Sequence, residues 1–283
     1  MKIDVVCPLY KAESLIDQLI EGIKGQISVE LCHVIFPITQ SQNDEEVIRK
    51  ITEAGFEYFL LKKEDFSHSL TRQKAMFKFC TSDIVILITH DVKFIKQDAF
   101  TKLAAAIKDD IVFAYGRQIC PNKSIEYYIR CKNYGDESAV VSMDDISSRQ
   151  PNAFFASDAF AAYNRHVFVK LGGYGTESMQ FNEDTFYAKK VLEHGYKKAY
   201  VADAIVEHWH NFTLKQLYNR YYETGKWIST HPHFLTNSVT TSGISLAYYV
   251  FLQALKDLNF PVLLTFFPNM LARYLGVEAG KRM

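Results

Sequence analysis

The sequence lacks a charge excess, a cysteine framework and a long apolar run, and each absence excludes a class of protein. Its 32 lysines and arginines balance 32 aspartates and glutamates, so its net charge gives no support for a nucleic-acid partner. The five cysteines are scattered and include no C-x-x-C pair, which is typical of a reduced cytosolic chain rather than a disulfide scaffold or a zinc module. No apolar run reaches the roughly 18 residues that a spanning helix needs. Because the first residues lead directly into a strand pattern, we expect a cytoplasmic protein without a signal peptide.

What is present is the composition of a globular protein. Of its 283 residues, 48% are hydrophobic and 23% are charged. This length is sufficient for one large or two modest domains with a substantial core.

Short apolar strand patterns alternate with helical patterns over the first 115 residues. The strands are predicted at residues 3–7, 29–36, 57–61, 84–88 and 111–115. Helices are predicted between them, at residues 12–23, 44–54, 70–79 and 100–107. The alternation indicates a parallel sheet with right-handed crossovers, in which ligands bind at the carboxyl ends of the strands. Asp91 follows the most hydrophobic strand, so we expect it at that edge.

The second half carries the residues best suited to chemistry. A polar, loop-like insertion is predicted over residues 116–151, then a strand at 154–163 and a short helix at 166–171. A glycine turn leads to Asn182, Glu183 and Asp184 at the start of a predicted helix over 184–194. A carboxylate can accept a proton from a hydroxyl or bind a hard cation, and the imidazoles of His208 and His210 can complete a metal shell. By themselves, acids at a helix start also fit simple stabilisation by the helix dipole.

The order of these signals resembles that of the family 2 inverting glycosyltransferases over about residues 1–210. The series comprises Pro8-Leu9-Tyr10, residues 66–72 (FSHSLTR), His90-Asp91, Gly116-Arg117-Gln118, residues 155–163 (FASDAFAAY), Gly172-Gly173-Tyr174, Asn182-Glu183-Asp184 and the block from His208 onward. A narrower likeness is to bacterial rhamnosyltransferases that use dTDP-L-rhamnose. It rests on residues 66–72, on 115–118 with Asn133-Tyr134 after them, and on 208–214.

The resemblance implies an α/β, Rossmann-like GT-A fold, a mostly parallel sheet flanked by helices with a C-terminal helical extension. Residues 1–212 would form the catalytic domain, with the nucleotide-sugar part at about 1–115 and the acceptor part at about 116–212. Residues 213–283 would form the helical region. The implied activity is metal-dependent, inverting transfer of a sugar, with L-rhamnose from dTDP-rhamnose favoured. The implied acceptor is a polysaccharide or a lipid-linked glycan, in the synthesis of capsule, O-antigen or cell wall.

The resemblance also implies roles for single residues. Asp184 matches the catalytic base, with Glu183 positioning the acceptor or the base. Asp91 matches the last acid of the family's D-x-D element, whose first acid is replaced here by Thr89 or His90, and it would hold Mn²⁺ or Mg²⁺ with His208 or His210. The expected donor-binding residues are Pro8, Tyr10, Thr39, Arg72, His90 and Asp91. The expected acceptor-binding residues are Arg117, Asp158, Gly173 and Asn182.

Plainer interpretations stay open for several of these residues. Asp91 fits a turn aspartate at a strand end, the histidines fit buried core residues, and Arg72 fits an exposed helix charge. Residues 36–42 also lack the acidic turn with which the family usually binds base and ribose, although Thr39 and Gln40 can hydrogen-bond a pyrimidine. This departure leaves a different UDP- or GDP-sugar, or a catalytically silent sugar-binding homologue, as alternatives.

The tail, residues 244–275, has two helical patterns around Pro261. Aromatic and aliphatic residues recur on one face of each pattern, and Lys281 and Arg282 follow. One interpretation is a helical pair packed on the catalytic domain or in a homodimer contact. The other is an amphipathic element, too short to span, that lies on the inner face of the cell membrane near a lipid-linked acceptor.

Overall fold

The computed structural model describes residues 1–149, 152–231 and 238–282. The strands are β1 (Lys2–Val6), β2 (Glu30–Thr39), β3 (Glu57–Leu61), β4 (Ile84–Ile88), β5 (Lys93–Phe94), β6 (Ile111–Ile119), β7 (Ala139–Val141), β8 (Phe160–Asn164) and β9 (Lys197–Glu207). The α-helices are α1 (Ile16–Lys24), α2 (Asp44–Glu53), α3 (His68–Lys78), α4 (Ala99–Ala104), α5 (Ile125–Asn133), α6 (Ile146–Arg149), α7 (Arg165–Lys170), α8 (Glu183–Glu193), α9 (Leu214–Thr230), α10 (Ser238–Lys256) and α11 (Phe260–Lys281).

The strands form one nine-stranded sheet in the order β3-β2-β1-β4-β8-β6-β9-β5, with β7 paired to β9. The predicted parallel alternation is correct for β1 to β4, whose pairs β1–β2, β2–β3 and β1–β4 are parallel. Beyond β4 the sheet becomes mixed, because β8 inserts antiparallel between β4 and β6. The α/β fold predicted from the sequence is therefore confirmed, with helices flanking a partly parallel sheet.

Asp4, the buried acid of β1, connects separate segments of the chain near the amino-terminal edge of the sheet. The Asp4 side chain is fully buried, at a register irregularity between β1 and β2. Its carboxylate accepts hydrogen bonds from the backbone amides of His33, Thr81 and Ser82 and from the Ser82 hydroxyl, at 2.6 to 3.1 Å. Because a buried carboxylate is costly unless it is hydrogen-bonded, these four donors explain how an acid is tolerated in an apolar strand.

Two predictions from the sequence are wrong in their extent. The segment 116–151, predicted to be loop-like, contains the rest of β6 and all of α5, whose buried residues Ile125, Tyr128 and Ile129 follow helical spacing. The predicted strand at 154–163 is extended only in its second half, β8, and its first half is a loop that carries Asp158. Residues 150–151 of the predicted insertion lie outside the described residues.

The chain forms two compact units. The first comprises Met1–Gln118, Asp136–Asp145 and Phe154–His208, and the second comprises Ile119–Gly135, Ile146–Ala153 and Trp209–Met283. The sheet and its main apolar core belong to the first unit. In the second unit, α9 and α11 pack so closely that a methyl group on Gly225, Gly276 or Gly280 would overlap the backbone of the other helix.

Helix α11 corrects the expectation that the tail is too short to span a membrane. Pro261 lies in its first turn, where a missing amide costs no helical hydrogen bond, and the helix continues through Pro268 to Lys281. In the part of the chain that the structure describes, α11 is the one helix whose length and composition would allow it to cross a bilayer. Only 17% of its most apolar 18-residue window is buried.

Candidate active site

The first two strands bring three predicted donor-binding residues together at their carboxyl ends. The amide of Leu9 donates to the carbonyl of Pro37 at 2.8 Å, and the amide of Thr39 donates to the carbonyl of Leu9 at 2.9 Å. These bonds place Pro8 and Tyr10 beside the end of β2. The Thr39 side chain is 3% exposed, and its hydroxyl oxygen has no hydrogen-bond partner among the described residues. Because a buried hydroxyl is costly without a partner, this oxygen is suited to receive a ligand.

Asp91 and His208 meet at the same sheet edge, at the ends of β4 and β9. The Oδ1 atom of Asp91 lies 3.5 Å from Nε2 of His208, which is buried, whereas Asp91 and its neighbour His90 are half-buried. The alternative of an isolated turn aspartate does not account for this pairing. Together the two side chains form a candidate Asp/His metal site.

A second layer of polar contacts sets the tautomer of His208. Its Nδ1 lies 2.7 Å from Oε1 of Gln118, whose amide nitrogen donates to the Ser157 hydroxyl at 2.8 Å. With the amide oriented in this way, Nδ1 donates to Gln118, and Nε2 is the ring nitrogen that faces the Asp91 carboxylate. A histidine whose second ring nitrogen is hydrogen-bonded in this way is the usual arrangement at a metal site. His210 follows two residues later and belongs to the second unit, so its role as a ligand stays a prediction.

Arg72 lies in the interior of the first unit rather than on a helix surface. Its side chain is 2% exposed, so the alternative of an exposed helix charge is wrong. Its Nη1 donates to Oε1 of Glu183 and lies 3.7 Å from Oδ2 of Asp158. The guanidinium group is thus engaged with two carboxylates, while its Nε has no partner among the described residues. The donor contact predicted for Arg72 stays a prediction, and the observed contacts pair its side chain with Glu183 and Asp158.

Asp158, which was expected to bind the acceptor, is also buried. Its carboxylate accepts hydrogen bonds from the hydroxyl of Tyr163 and, at 2.6 Å, from the hydroxyl of Tyr174. Burial raises the pKa of Asp158, while Arg72 and the two hydroxyls act in the opposite direction. Sequence reasoning missed both tyrosines as parts of the site. The available signal was their position at the ends of two quoted motifs, FASDAFAAY and Gly172-Gly173-Tyr174.

Helix α8 presents its first two residues, both acids, to different surroundings. It begins after Asn182, whose backbone is left-handed with φ of 65°. Glu183 is buried against Arg72, whereas Asp184 is half-buried. The Asp184 carboxylate accepts hydrogen bonds from the Thr185 amide at 2.6 Å and from the Asp158 amide at 3.3 Å. Two adjacent residues are therefore in different surroundings, one held in the interior and one partly exposed.

The pKa values of both acids are raised. Burial raises the pKa of Glu183 to about 8, where Arg72 opposes the shift and the charges of Asp184 and Asp158 add to it. Burial and the charge of Asp158 raise the pKa of Asp184 to about 6, although two backbone amides stabilise its ionised form. A carboxylate with a pKa near 6 is still ionised at neutral pH but is a stronger base than an ordinary aspartate. Asp184 therefore has the properties of a general base.

The glycine turn before α8 is held by the first turns of α3. Gly173 has a φ of 54°, and a methyl group there would overlap the Gln73 side chain. Gln73 accepts a hydrogen bond from the Tyr174 amide at 2.7 Å and donates to the Gly175 carbonyl at 2.9 Å. Ser69 makes two further bonds to the same loop, at the Glu177 carbonyl and the Met179 amide. Through these contacts Ser69 and Gln73 of α3 hold a loop that lies more than 100 positions away in the sequence.

Arg117 lies half-buried in β6, and its Nε has no partner among the described residues. The preceding Gly116 lies against the Phe160 ring, where any side chain would overlap it. The acceptor contacts predicted for Arg117, Gly173 and Asn182 stay predictions.

The mixed sheet with its flanking helices defines an α/β protein with a candidate Asp/His metal site at one sheet edge, and comparisons with known proteins identify its family. Residues 4–172 match the family described as Glycosyl transferase family 2. The chain is 33% identical over 241 residues to the O-antigen chain rhamnosyltransferase RfbN of Salmonella typhimurium strain LT2, which covers 82% of this chain and 74% of RfbN. It is 35% identical over 176 residues to the O-antigen chain rhamnosyltransferase WbaN of Salmonella anatum, covering 61% of this chain and 56% of WbaN. The chain belongs to glycosyl transferase family 2 and is a glycosyltransferase.

Solved structures show the same fold at low sequence identity. The mannosyltransferase PcManGT from Pyrobaculum calidifontis, in complex with GDP-Man and Mn²⁺, aligns with a TM-score of 0.63 at 12% identity, covering 97% of this chain and 83% of that one. Residues 1–349 of S. aureus TarS with UDP-GlcNAc align with a TM-score of 0.56 at 14% identity, covering 88% and 72%. The GT-A fold expected from the sequence is confirmed.

Proposed function

We propose that the protein transfers L-rhamnose from dTDP-L-rhamnose to a glycan acceptor with inversion at the anomeric carbon. The observation that carries this proposal is the pair of adjacent acids at the start of α8, in which buried Glu183 is fixed by Arg72 and half-buried Asp184 has a pKa of about 6. The choice of rhamnose is supported by the two relatives named as O-antigen chain rhamnosyltransferases. Growth of an O-antigen or a related cell-surface polysaccharide is the matching process.

Asp184 would accept the proton of the acceptor hydroxyl. As that proton leaves, the hydroxyl oxygen bonds to the anomeric carbon, and the bond from this carbon to the diphosphate oxygen breaks on the opposite face. The proton remains on Asp184 and the electron pair of the broken bond remains on the nucleoside diphosphate. Glu183 does not touch the reacting atoms, and its contact with Arg72 fixes the first turn of α8, which carries Asp184.

Asp91 and His208 would hold a divalent cation, Mn²⁺ or Mg²⁺, with His210 as a further ligand. Their fit rests on the orientation of His208, whose Nδ1 is hydrogen-bonded to Gln118 so that Nε2 faces the Asp91 carboxylate. When bound, the cation neutralises the negative charge that develops on the leaving diphosphate. The oxygen ligands of a diphosphate and of Asp91 suit these hard cations better than a tetrahedral zinc site.

The hydroxyl of Thr39, with Pro8 and Tyr10 beside it, would bind the nucleoside. Its buried oxygen has no partner among the described residues, and a pyrimidine offers both donors and acceptors. The acceptor is proposed to be a glycan carried on a lipid, and the enzyme is proposed to act on it at the cytoplasmic side of the membrane.

A donor screen tests the proposal. The purified protein is heated with dTDP-rhamnose, UDP-sugars or GDP-sugars, with and without Mn²⁺ or Mg²⁺, and hydrolysis of each donor is followed in parallel. We expect dTDP-rhamnose with metal to raise the melting temperature most and to be hydrolysed slowly. Stabilisation by a UDP- or GDP-sugar alone would refute the choice of donor, and binding without any hydrolysis would support the silent-homologue alternative.

A further inference from the structure

The two units carry opposite charge, although the whole chain is neutral. The second unit contains eleven lysines and arginines against four aspartates and glutamates, a formal net charge of +7. The first unit contains 21 basic and 28 acidic residues, a formal net charge of −7. A block of positive charge on the smaller, helical unit indicates an anionic partner for that unit.

Helix α11 has an exposed apolar stripe opposite its buried face. The stripe consists of Phe260, Leu264, Phe267, Leu271 and Tyr274, which recur every three or four residues. Leu264 is 80% exposed and Phe267 is 68% exposed, values that a solvent-facing helix rarely shows for such residues in succession. The opposite face, with Val262, Phe266 and the glycines that contact α9, is buried.

Helix α10 extends the same kind of surface. Ile244, Tyr248 and Leu255 are exposed on it at helical spacing. Phe251 connects the two helices, because its ring lies 5.4 Å from that of Phe266 and 6.3 Å from that of Phe267. We call these exposed residues of α10 and α11 the apolar stripe of the second unit. Lys281 and Arg282 follow it at the end of α11.

The packing of α11 argues that this helix lies along a membrane rather than across it. Its glycine face is in backbone contact with α9, which carries Lys215, Arg220 and Lys226 and would have to enter the bilayer with it. Near its middle, Arg273 pairs with Glu126 of α5 at 2.7 Å. Charged groups at the centre of a bilayer are costly. A helix fixed to polar neighbours on one face and apolar on the other suits the membrane interface.

We propose that the apolar stripe of the second unit inserts into the interface of an anionic membrane, with the basic residues of the unit contacting the lipid headgroups. A second copy of the chain fits the surface less well, since a symmetric pairing through the same stripe would bring two units of +7 together. This inference does not depend on the donor or on the residues of the proposed reaction. Its one connection to the proposed function is the acceptor, which is proposed to be carried on a lipid.

Vesicle co-sedimentation tests the surface directly. The full chain is mixed with vesicles of phosphatidylcholine alone or with added phosphatidylglycerol. We expect binding to the anionic vesicles that is weakened but not abolished by salt, because apolar insertion supplies part of it. Replacing Leu264 and Phe267 by glutamate should lower binding about tenfold or more, since each buried side chain of this size is worth at least about that factor. The matched control replaces Tyr58 and Leu60, exposed residues of β3 in the first unit, by glutamate and should bind normally.

Donor hydrolysis and the melting temperature show that each variant is folded. Three results would overturn the proposal: no binding of the intact chain to anionic vesicles, unchanged binding by the Leu264→Glu/Phe267→Glu variant, or equal loss in the control. A stable dimer that the stripe variant alone dissociates would assign the surface to a second copy. Resistance of the bound protein to alkaline carbonate would indicate a spanning helix instead.

Discussion

Replacing Arg72 by methionine removes the buried cation that Glu183 and Asp158 share and keeps most of its apolar stem. Because Arg72 is 2% exposed, water cannot replace the lost donor, and the Glu183 carboxylate would remain buried without its partner. Breaking a buried ion pair from one side typically costs about 3–5 kcal/mol of unfolding free energy. We expect a loss in that range above the pKa of Glu183, about 8, where this carboxyl is ionised, and a smaller loss at neutral pH, where it is largely protonated; urea denaturation at both pH values measures the difference.

The same substitution should also alter the pH dependence of transfer. Asp184 acts as a base only when ionised, so the rate should rise with pH through its pKa of about 6. Arg72 lowers the pKa of Asp184, and its removal should therefore move this acid limb to higher pH. The variant should lose proportionally more activity at pH 6 than at pH 8, measured as initial rates at saturating donor.

A double variant, Arg72→Met with Glu183→Met, separates the ion pair from simple packing. Replacing both charges by apolar groups of similar volume leaves no unpaired carboxylate at position 183, so much of the lost stability should return. If Arg72→Met costs less than about 1 kcal/mol, as an exposed pair would, and leaves the acid limb in place, the reasoning about this cluster is wrong. If Arg72→Met does not fold, the double variant should still fold better than it does. If the double variant does not, the reasoning about this cluster is also wrong.

Four further predictions address other parts of the structure. Asp184→Asn should lower transfer about a hundred- to ten-thousand-fold while donor affinity stays nearly unchanged in thermal shift. Gln118→Met removes the partner of His208 Nδ1 and should weaken Mn²⁺ binding about 10- to 100-fold, measured by titration in the presence of nucleotide. Thr39→Val should reduce donor affinity without lowering the melting temperature, because its hydroxyl has no partner among the described residues; unchanged affinity would remove Thr39 from the donor site. Gly280→Ala, whose methyl would overlap the Tyr222 carbonyl, should destabilise by about 1–3 kcal/mol, whereas Gly135→Ala, with open space around it, should not.

The sequence predicted the parallel half of the sheet because each of those strands is a short apolar run between helical patterns. The position of β8 between β4 and β6 could not be predicted in this way, since pairing between strands so far apart leaves no local signal. Helix α5 was missed for a different reason: it has only three buried residues among several charged and polar ones, in a segment flanked by loop-forming residues.

The candidate site, like the sheet, could be predicted from the sequence only in part. Asp91, Asp184 and His208 were recognised from motifs, and the structure pairs the first with the last. The burial of Arg72 was not foreseen, because its contact with Glu183 joins positions 111 residues apart. A charged residue in a helical pattern is normally predicted to be exposed. Nothing in the motif around Arg72 or in the motif around Glu183 identifies the other as its partner.

Asp4 and Thr39 give the sheet two edges of different character. Near the amino-terminal edge, one buried carboxylate connects three backbone amides and a hydroxyl from distant segments, so substitution there would disturb folding itself. At the carboxyl edge, the hydroxyl of Thr39 has no such partner among the described residues and contributes little to folding. If Thr39 binds the donor as proposed, substitutions that change the choice of donor can be accommodated at the carboxyl edge without loss of the scaffold. Such a division would separate the residues that choose the ligand from the residues that hold the fold.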